Sequence, residues 1–106
     1  MYIGIDLGGT NIAAGIVDDN GKLIYKSSVP THKERHYSAI IKDMAELVKT
    51  IVADAGYDTS DFKSIGIGCP GTIDNSNGIV VYSDIFISIP CSQIKLILPN
   101  EIYFVL

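Results

Sequence analysis

A chain of 106 residues, 47% of them hydrophobic and 19% charged, has the make-up of one globular domain rather than of a disordered segment. Its net charge of −4 and its lack of any basic run argue against nucleic acid as the main partner. Two cysteines far apart, Cys69 and Cys91, give neither a zinc signature nor a disulfide framework. No secretory leader opens the sequence, and no apolar run reaches the roughly 18 residues of a membrane span, so the expected setting is the cytoplasm, without membrane contact.

In chain order, Tyr2 to Leu7 reads as a short apolar strand and Asn11 to Val17 as a second. Asp18-Asp19-Asn20-Gly21 is a turn, because Asn-Gly supports positive φ. Lys22 to Val29 reads as a third strand ending at Pro30, which completes an antiparallel meander. Thr31 to Arg35 is a polar loop. From about His36 the period changes: Ile40, Ile41, Met44, Leu47, Val48, Ile51, Val52 and Ala55 recur at spacings of three and four, the stripe of an amphipathic helix. Gly56 marks its C-terminal stop. Ser64 to Cys69 reads as a buried strand ended by Pro70-Gly71, then Asp74 to Gly78 as a turn and Ile79 to Tyr82 as a short strand. The helix between the meander and the fourth strand allows that strand to lie parallel to the first. The fold class is mixed α/β.

The composition changes near Asp84. All ten glycines precede it, and the following residues are rich in Ile, Leu and Phe, with Asp84, Lys95 and Glu101 as their charges. Residues 84–106 show neither helical nor alternating periodicity. They are expected to form an atypical apolar tail after a domain at 1–83.

Two glycine motifs carry chemistry. GIGCPG, Gly66 to Gly71, matches G-x-G-x-x-G, but a dinucleotide site needs a helix to open there, and Thr72 to Gly78 is turn chemistry. No G-x-x-x-x-G-K-[ST] is present. DLGGTN, Asp6 to Asn11, has two readings. One is a plain hairpin. In the other, Gly8 and Gly9 let the backbone approach a ligand, consecutive N–H groups form an anion-binding concavity, Thr10 and Asn11 add side-chain donors, and Asp6 holds Mg²⁺ directly or through water. A carboxylate in a strand otherwise facing the core also needs a partner, which disfavours the plain hairpin. His32 and His36 read as surface residues, and the helix stripe reads as core. Asp74 starts a turn and leaves a role in a cleft open.

Together these motifs resemble the N-terminal lobe of the ROK family (repressor, open reading frame, kinase) of sugar kinases. MYIGIDLGGTNIAAGIVDDNGKL is similar to the opening of the family's glucokinases, and SIGIGCPGTID to its second motif, so the resemblance covers residues 1 to about 83. It implies an actin-like, ribonuclease-H-like lobe that shares a cleft with a second lobe. It also implies ATP and Mg²⁺ as cofactors, with a hexose as substrate. By this resemblance Asp6, Gly8, Gly9, Thr10 and Asn11 form the phosphate loop, with Asp6 the Mg²⁺ ligand. Gly68, Pro70, Gly71 and Thr72 line the cleft near the sugar, whose 6-hydroxyl attacks the γ-phosphate.

The family's later elements are not matched here: the sugar-binding asparagine segment, the aspartate base, the zinc-binding cysteine cluster and the adenosine-binding lobe. No residue is assigned as catalytic base, Cys91 is not the zinc cluster, and the chain alone is expected to be inactive or nearly so. The tail is either a non-family continuation, as a frameshift gives, or a divergent end. The alternative function is a non-catalytic module that binds sugar or nucleotide, or that self-associates as a homodimer through residues 84–106 or a sheet edge. The family's repressors carry a helix-turn-helix ahead of this lobe, whereas this sequence opens directly on the first strand.

Overall fold

The computed structural model describes residues 1–68 in full and, beyond them, the backbone of four strands, β5 to β8 below. β1 (Tyr2–Leu7), β2 (Asn11–Val17) and β3 (Leu23–Pro30) form the meander, followed by α1 (Tyr37–Asp54), a 3-10 turn (Thr59–Asp61) and β4 (Ser64–Gly68). β5 (Gly71–Asp74), β6 (Ile79–Tyr82), β7 (Ser88–Pro90) and β8 (Glu101–Val105) complete the order. Two sheets result, one with strand order β3-β2-β1-β4-β8 and one with order β5-β6-β7. Cys69, Pro70, residues 75–78 of the turn expected over Asp74 to Gly78, residues 83–87, residues 91–100 with Cys91, and residue 106 lie outside the described residues.

Alternation builds the first sheet. In β1 the side chains of Ile3, Ile5 and Leu7 are buried, while Tyr2, Gly4 and Asp6 lie on the opposite face. β2 buries Ile12, Ala14 and Ile16, and β4 buries Ile65 and Ile67. β1 and β4 run parallel, with Ile3 beside Ile65 and Ile5 beside Ile67, as the intervening helix permits. The stripe of α1 covers this face. Ile40, Ile41, Met44, Ala45, Leu47, Val48, Ile51 and Val52 are all buried in one cluster with the strand residues. Ala45, outside the expected stripe, is part of that core, and Ala55 packs at its margin. Among the described residues no helix is long and apolar enough to cross a membrane.

The helix ends follow local chemistry. His36 is the N-cap, and its Nδ1 accepts from the Ser38 N–H at 3.3 Å. At the other end Gly56 takes φ +82°, the Gly56 N–H donates to Ala53 O and the Tyr57 N–H to Val52 O. This paired closure depends on a residue that tolerates the left-handed region. The β2–β3 turn likewise places Gly21 at φ +84°, with Asp18 Oδ1 accepting from the Asn20 and Lys22 amides at 2.9 Å each.

Asp58 caps the 3-10 turn. Its carboxylate accepts from the Ser60 amide at 3.0 Å, and that bond first, with the Ser60 hydroxyl second, holds its pKa below the ordinary 3.8. A depressed carboxylate stabilises the fold above its unfolded pKa, and that contribution is lost as pH falls through the lower folded value. Asp58→Asn is therefore expected to lower the melting temperature at pH 7. Its difference from the parent chain should shrink below about pH 4, read by thermal melts across pH.

One reading is corrected by the fold. No helix opens after GIGCPG, as expected, but the stretch expected as turn from Thr72 is strand as far as Asp74: Gly71–Asp74 pairs antiparallel with Ile79–Tyr82. The tail also has a regular place. Glu101–Val105 lies parallel to β4, from Ser64 beside Glu101 to Gly68 beside Val105, and forms one margin of the five-stranded sheet.

Candidate functional site

The parallel pairing of β1 and β4 sets both glycine motifs at the same end of the sheet. Asp6 is the direct neighbour of Gly68 across the strands and of Ala13 on the other side. In open sheets with parallel strands, ligands collect outside the carboxyl ends of the strands, and this is that end. Asp6 is exposed, on the sheet face opposite the core, because the period of two groups it with Tyr2 and Gly4. The expected burial of this carboxylate is thus corrected: it needs no protein partner. Among the described residues it makes no hydrogen bond or ion pair.

The face around Asp6 is stripped of side chains. Gly4 sits between Gly15 and Gly66 in one row across three strands, and Ala13, Asp6 and Gly68 form the next row. A Cβ at Gly4 or Gly66 would meet nothing within 4 Å, so the glycines leave open space in front of the strands.

The turn between β1 and β2 is a hairpin with Gly8, Gly9 and Thr10 between the strands, so the plain reading of DLGGTN describes its backbone correctly. Gly8 N–H donates to Asn11 O at 3.0 Å, and a Cβ on Gly8 would lie 2.8 Å from that same carbonyl oxygen. Gly8 is demanded by close approach, since neither it nor Gly9 has positive φ. At Gly9 a Cβ would meet no protein atom within 4 Å. Among the described residues the Gly9 and Thr10 amides donate to no protein acceptor, and the Thr10 and Asn11 side chains are exposed. Backbone amides without a protein acceptor beside an exposed carboxylate are the parts of a site for a phosphate with its cation.

No group of three or more metal-ligating side chains exists among the described residues. One free carboxylate is nevertheless compatible with Mg²⁺, which is commonly held by one or two carboxylates together with the substrate's own phosphates and water. Asp6, Gly8, Gly9, Thr10, Asn11 and Gly68 are brought together. Gly71 and Thr72 lie in β5, opposite Tyr82 and Val81, and Pro70 lies outside the described residues. His32 and His36 are exposed, as expected.

Sequence reasoning missed Thr31. It is 1% exposed, its Oγ1 donates to Gly8 O at 2.7 Å, and its N–H donates to Thr10 O at 2.9 Å. Nothing local marks it, because its hydroxyl bond spans 23 positions of sequence.

A mixed sheet built as meander, helix and parallel strand, with a glycine turn at the carboxyl end of its first strand, is an actin-like lobe. The chain belongs to the ROK family, whose sequence profile ("ROK family") matches residues 2–88. It is similar to a glucokinase of Thermotoga maritima, 37% identical over 84 residues, which is 79% of this chain and 25% of that protein. It is also similar to an N-acetyl-D-glucosamine kinase of Citrobacter koseri, 35% identical over 80% of this chain and 26% of the relative. The ROK hexokinase of Thermus thermophilus superposes with a TM-score of 0.82 at 29% identity, over 98% of this chain and 34% of that structure. The chain thus spans about a quarter of the length of the curated relatives it matches. The matched region runs to residue 88, just past the compositional change at Asp84.

Proposed function

We propose that this chain is the phosphate-binding portion of an ATP-dependent hexose kinase. In this reading the turn Gly8–Asn11 receives the terminal phosphates of ATP through its backbone amides. Asp6 holds the accompanying Mg²⁺, and Gly68, Pro70, Gly71 and Thr72 face the hexose. The observation that carries the reading is the juxtaposition of Asp6 with Gly68, which joins two distant motifs into one site. Kinship with a glucokinase and an N-acetylglucosamine kinase supports a hexose as acceptor.

In the reaction, the sugar 6-hydroxyl oxygen bonds to the γ-phosphorus and the bond from that phosphorus to the β–γ bridging oxygen breaks. ADP departs, and the hydroxyl proton passes to a base. Positioning and charge neutralisation supply most of the catalysis in such transfers, and those are the tasks the turn and Asp6 perform. None of the 106 residues is assigned as that base, so the isolated chain is expected to transfer phosphate slowly or not at all.

Calorimetric titration tests the reading. Mg-ATP should bind the folded chain, and Asp6→Ala should weaken that binding by about tenfold or more, as loss of a charged ligand group does, while glucose binding is unchanged. A folded chain that binds neither Mg-ATP nor glucose would falsify the assignment.

A second reading is a self-associating, non-catalytic module. It is favoured by a five-stranded sheet whose outer strands are β3 and β8, edges open to pairing with another chain. A sedimentation profile independent of concentration sinks it.

A further inference from the structure

We propose that Thr31, braced by Arg35 and Asp43, is the positioning residue of the glycine turn, and that its two hydrogen bonds aim the turn's amides at the phosphate. The inference rests on the reading of Gly8–Asn11 as a phosphate loop, and adds to it the residues that set the loop's geometry.

The argument begins with peptide planarity. In a trans peptide the carbonyl and the following N–H point in opposite directions. The Thr31 hydroxyl holds the Gly8 carbonyl at 2.7 Å, which turns the Gly9 N–H away from Thr31. The Thr31 N–H holds the Thr10 carbonyl at 2.9 Å, which turns the Asn11 N–H away in the same manner. One buried residue thus fixes two peptide planes of a turn that is otherwise closed by the Gly8 N–H bond to Asn11 O at 3.0 Å.

Thr31 is itself anchored. His32 takes φ +49°, an uncommon conformation for a residue with a side chain, and there the chain leaves β3. Arg35 then gathers the carbonyls this bend exposes. Its Nη2 donates to Thr31 O at 2.8 Å, and its N–H and Nε donate to His32 O at 3.1 and 3.2 Å. The same Nη2 meets Asp43 Oδ2 at 2.6 Å, on α1. The line Asp43–Arg35–Thr31 therefore ties the turn to the helix that carries the core. The hydroxyl of Thr31 holds one shoulder of the turn and its backbone N–H the other, and the first of these depends on the side chain.

The test compares Thr31→Val, which keeps the shape and removes the hydroxyl, with Thr31→Ser, which restores it. The full 106-residue chain is used in both. The first readout needs no ligand: amide chemical shifts of Gly9, Thr10 and Asn11, and hydrogen exchange of the bonded Gly8 amide. Thr31→Val is expected to move those shifts and speed that exchange, with Thr31→Ser close to the parent chain. The second readout is calorimetry with Mg-ATP, where Thr31→Val should weaken binding about tenfold, the worth of a good buried hydrogen bond, and Thr31→Ser should restore it.

If Thr31→Val does not fold, Arg35→Gln provides the same readouts from the outer end of the line, with the same signals shifted to a smaller degree. Unchanged loop signals in the folded variant overturn the proposal, whatever the ligand does. If the parent chain binds no Mg-ATP yet its loop signals respond to Thr31→Val and recover in Thr31→Ser, the positioning role stands and the phosphate assignment falls.

Discussion

Gly8→Ala and Gly9→Ala, two changes of one methyl group at adjacent positions, are expected to fail in different ways. At Gly8 the new Cβ would lie 2.8 Å from the Asn11 carbonyl oxygen, a backbone atom already engaged with the Gly8 N–H at 3.0 Å. Relief requires the two shoulders of the turn to separate, which breaks that hydrogen bond and disturbs the Gly8 carbonyl held by Thr31. Overpacking and a lost bond together cost about 2 kcal/mol, or a fall of roughly 8 °C in the melting temperature of a domain this size. At Gly9 a Cβ meets no protein atom within 4 Å and the backbone is outside the left-handed region, so the folded chain without ligand should keep its stability within about 0.5 kcal/mol. The methyl group there stands in the space assigned to phosphate, and Mg-ATP affinity should drop about tenfold or more, since a ligand cannot close on the amides. Thermal melts and calorimetry on both variants separate the outcomes. Equal loss of stability in the two would mean that the turn is not built as described. Unchanged affinity in a stable Gly9→Ala chain would place the phosphate elsewhere.

The contrast between those two glycines also shows where the sequence was legible. The three-and-four spacing from Ile40 to Val52 records which side of the helix meets the core, and it is readable because burial acts residue by residue. Tyr2–Leu7 is legible as an apolar strand, but its faces are not assigned by that apolar character: the alternation of its burial puts Asp6 on the open face rather than in the core. The stops at Gly21 and Gly56 were readable because positive φ is a local demand. Thr31 was not, since what makes it important is the geometry of a turn over twenty residues earlier and an arginine gripping its carbonyl. β8 is not legible for a different reason: Glu101–Val105 carries no clean alternation, and its place is set by its pairing with Ser64–Gly68. The site divides along the same line: its glycines and carboxylate stand in motifs, while the residues that orient them do not.

Ile12→Ala is expected to cost about 3 kcal/mol, within the range for deleting a buried branched side chain and leaving a cavity. Ile12 is fully buried, pairs with Leu7 across the hairpin, and belongs to the cluster that contains the α1 stripe. It is also the residue directly after Asn11, so its side chain fixes the point at which the turn re-enters the sheet. A loss of this size is a large share of the 5 to 15 kcal/mol by which ordinary domains are stable, and denaturant titration should show the midpoint move with little change in slope. Ile12→Val removes one methyl group and should cost only about 1 kcal/mol. The functional consequence follows from position. With Ile12→Val the turn keeps its anchor and Mg-ATP affinity should stay within about threefold of the parent chain, because a cost near 1 kcal/mol falls on the unfolding equilibrium rather than on the loop. With Ile12→Ala, at temperatures where the chain remains folded, exchange of the bonded Gly8 amide should rise together with that of the Leu7 amide, since hairpin and turn open as one cooperative unit. Faster exchange in the turn alone, with Leu7 unchanged, would mean that the turn moves independently of the core, and that Thr31 rather than the hairpin governs its opening.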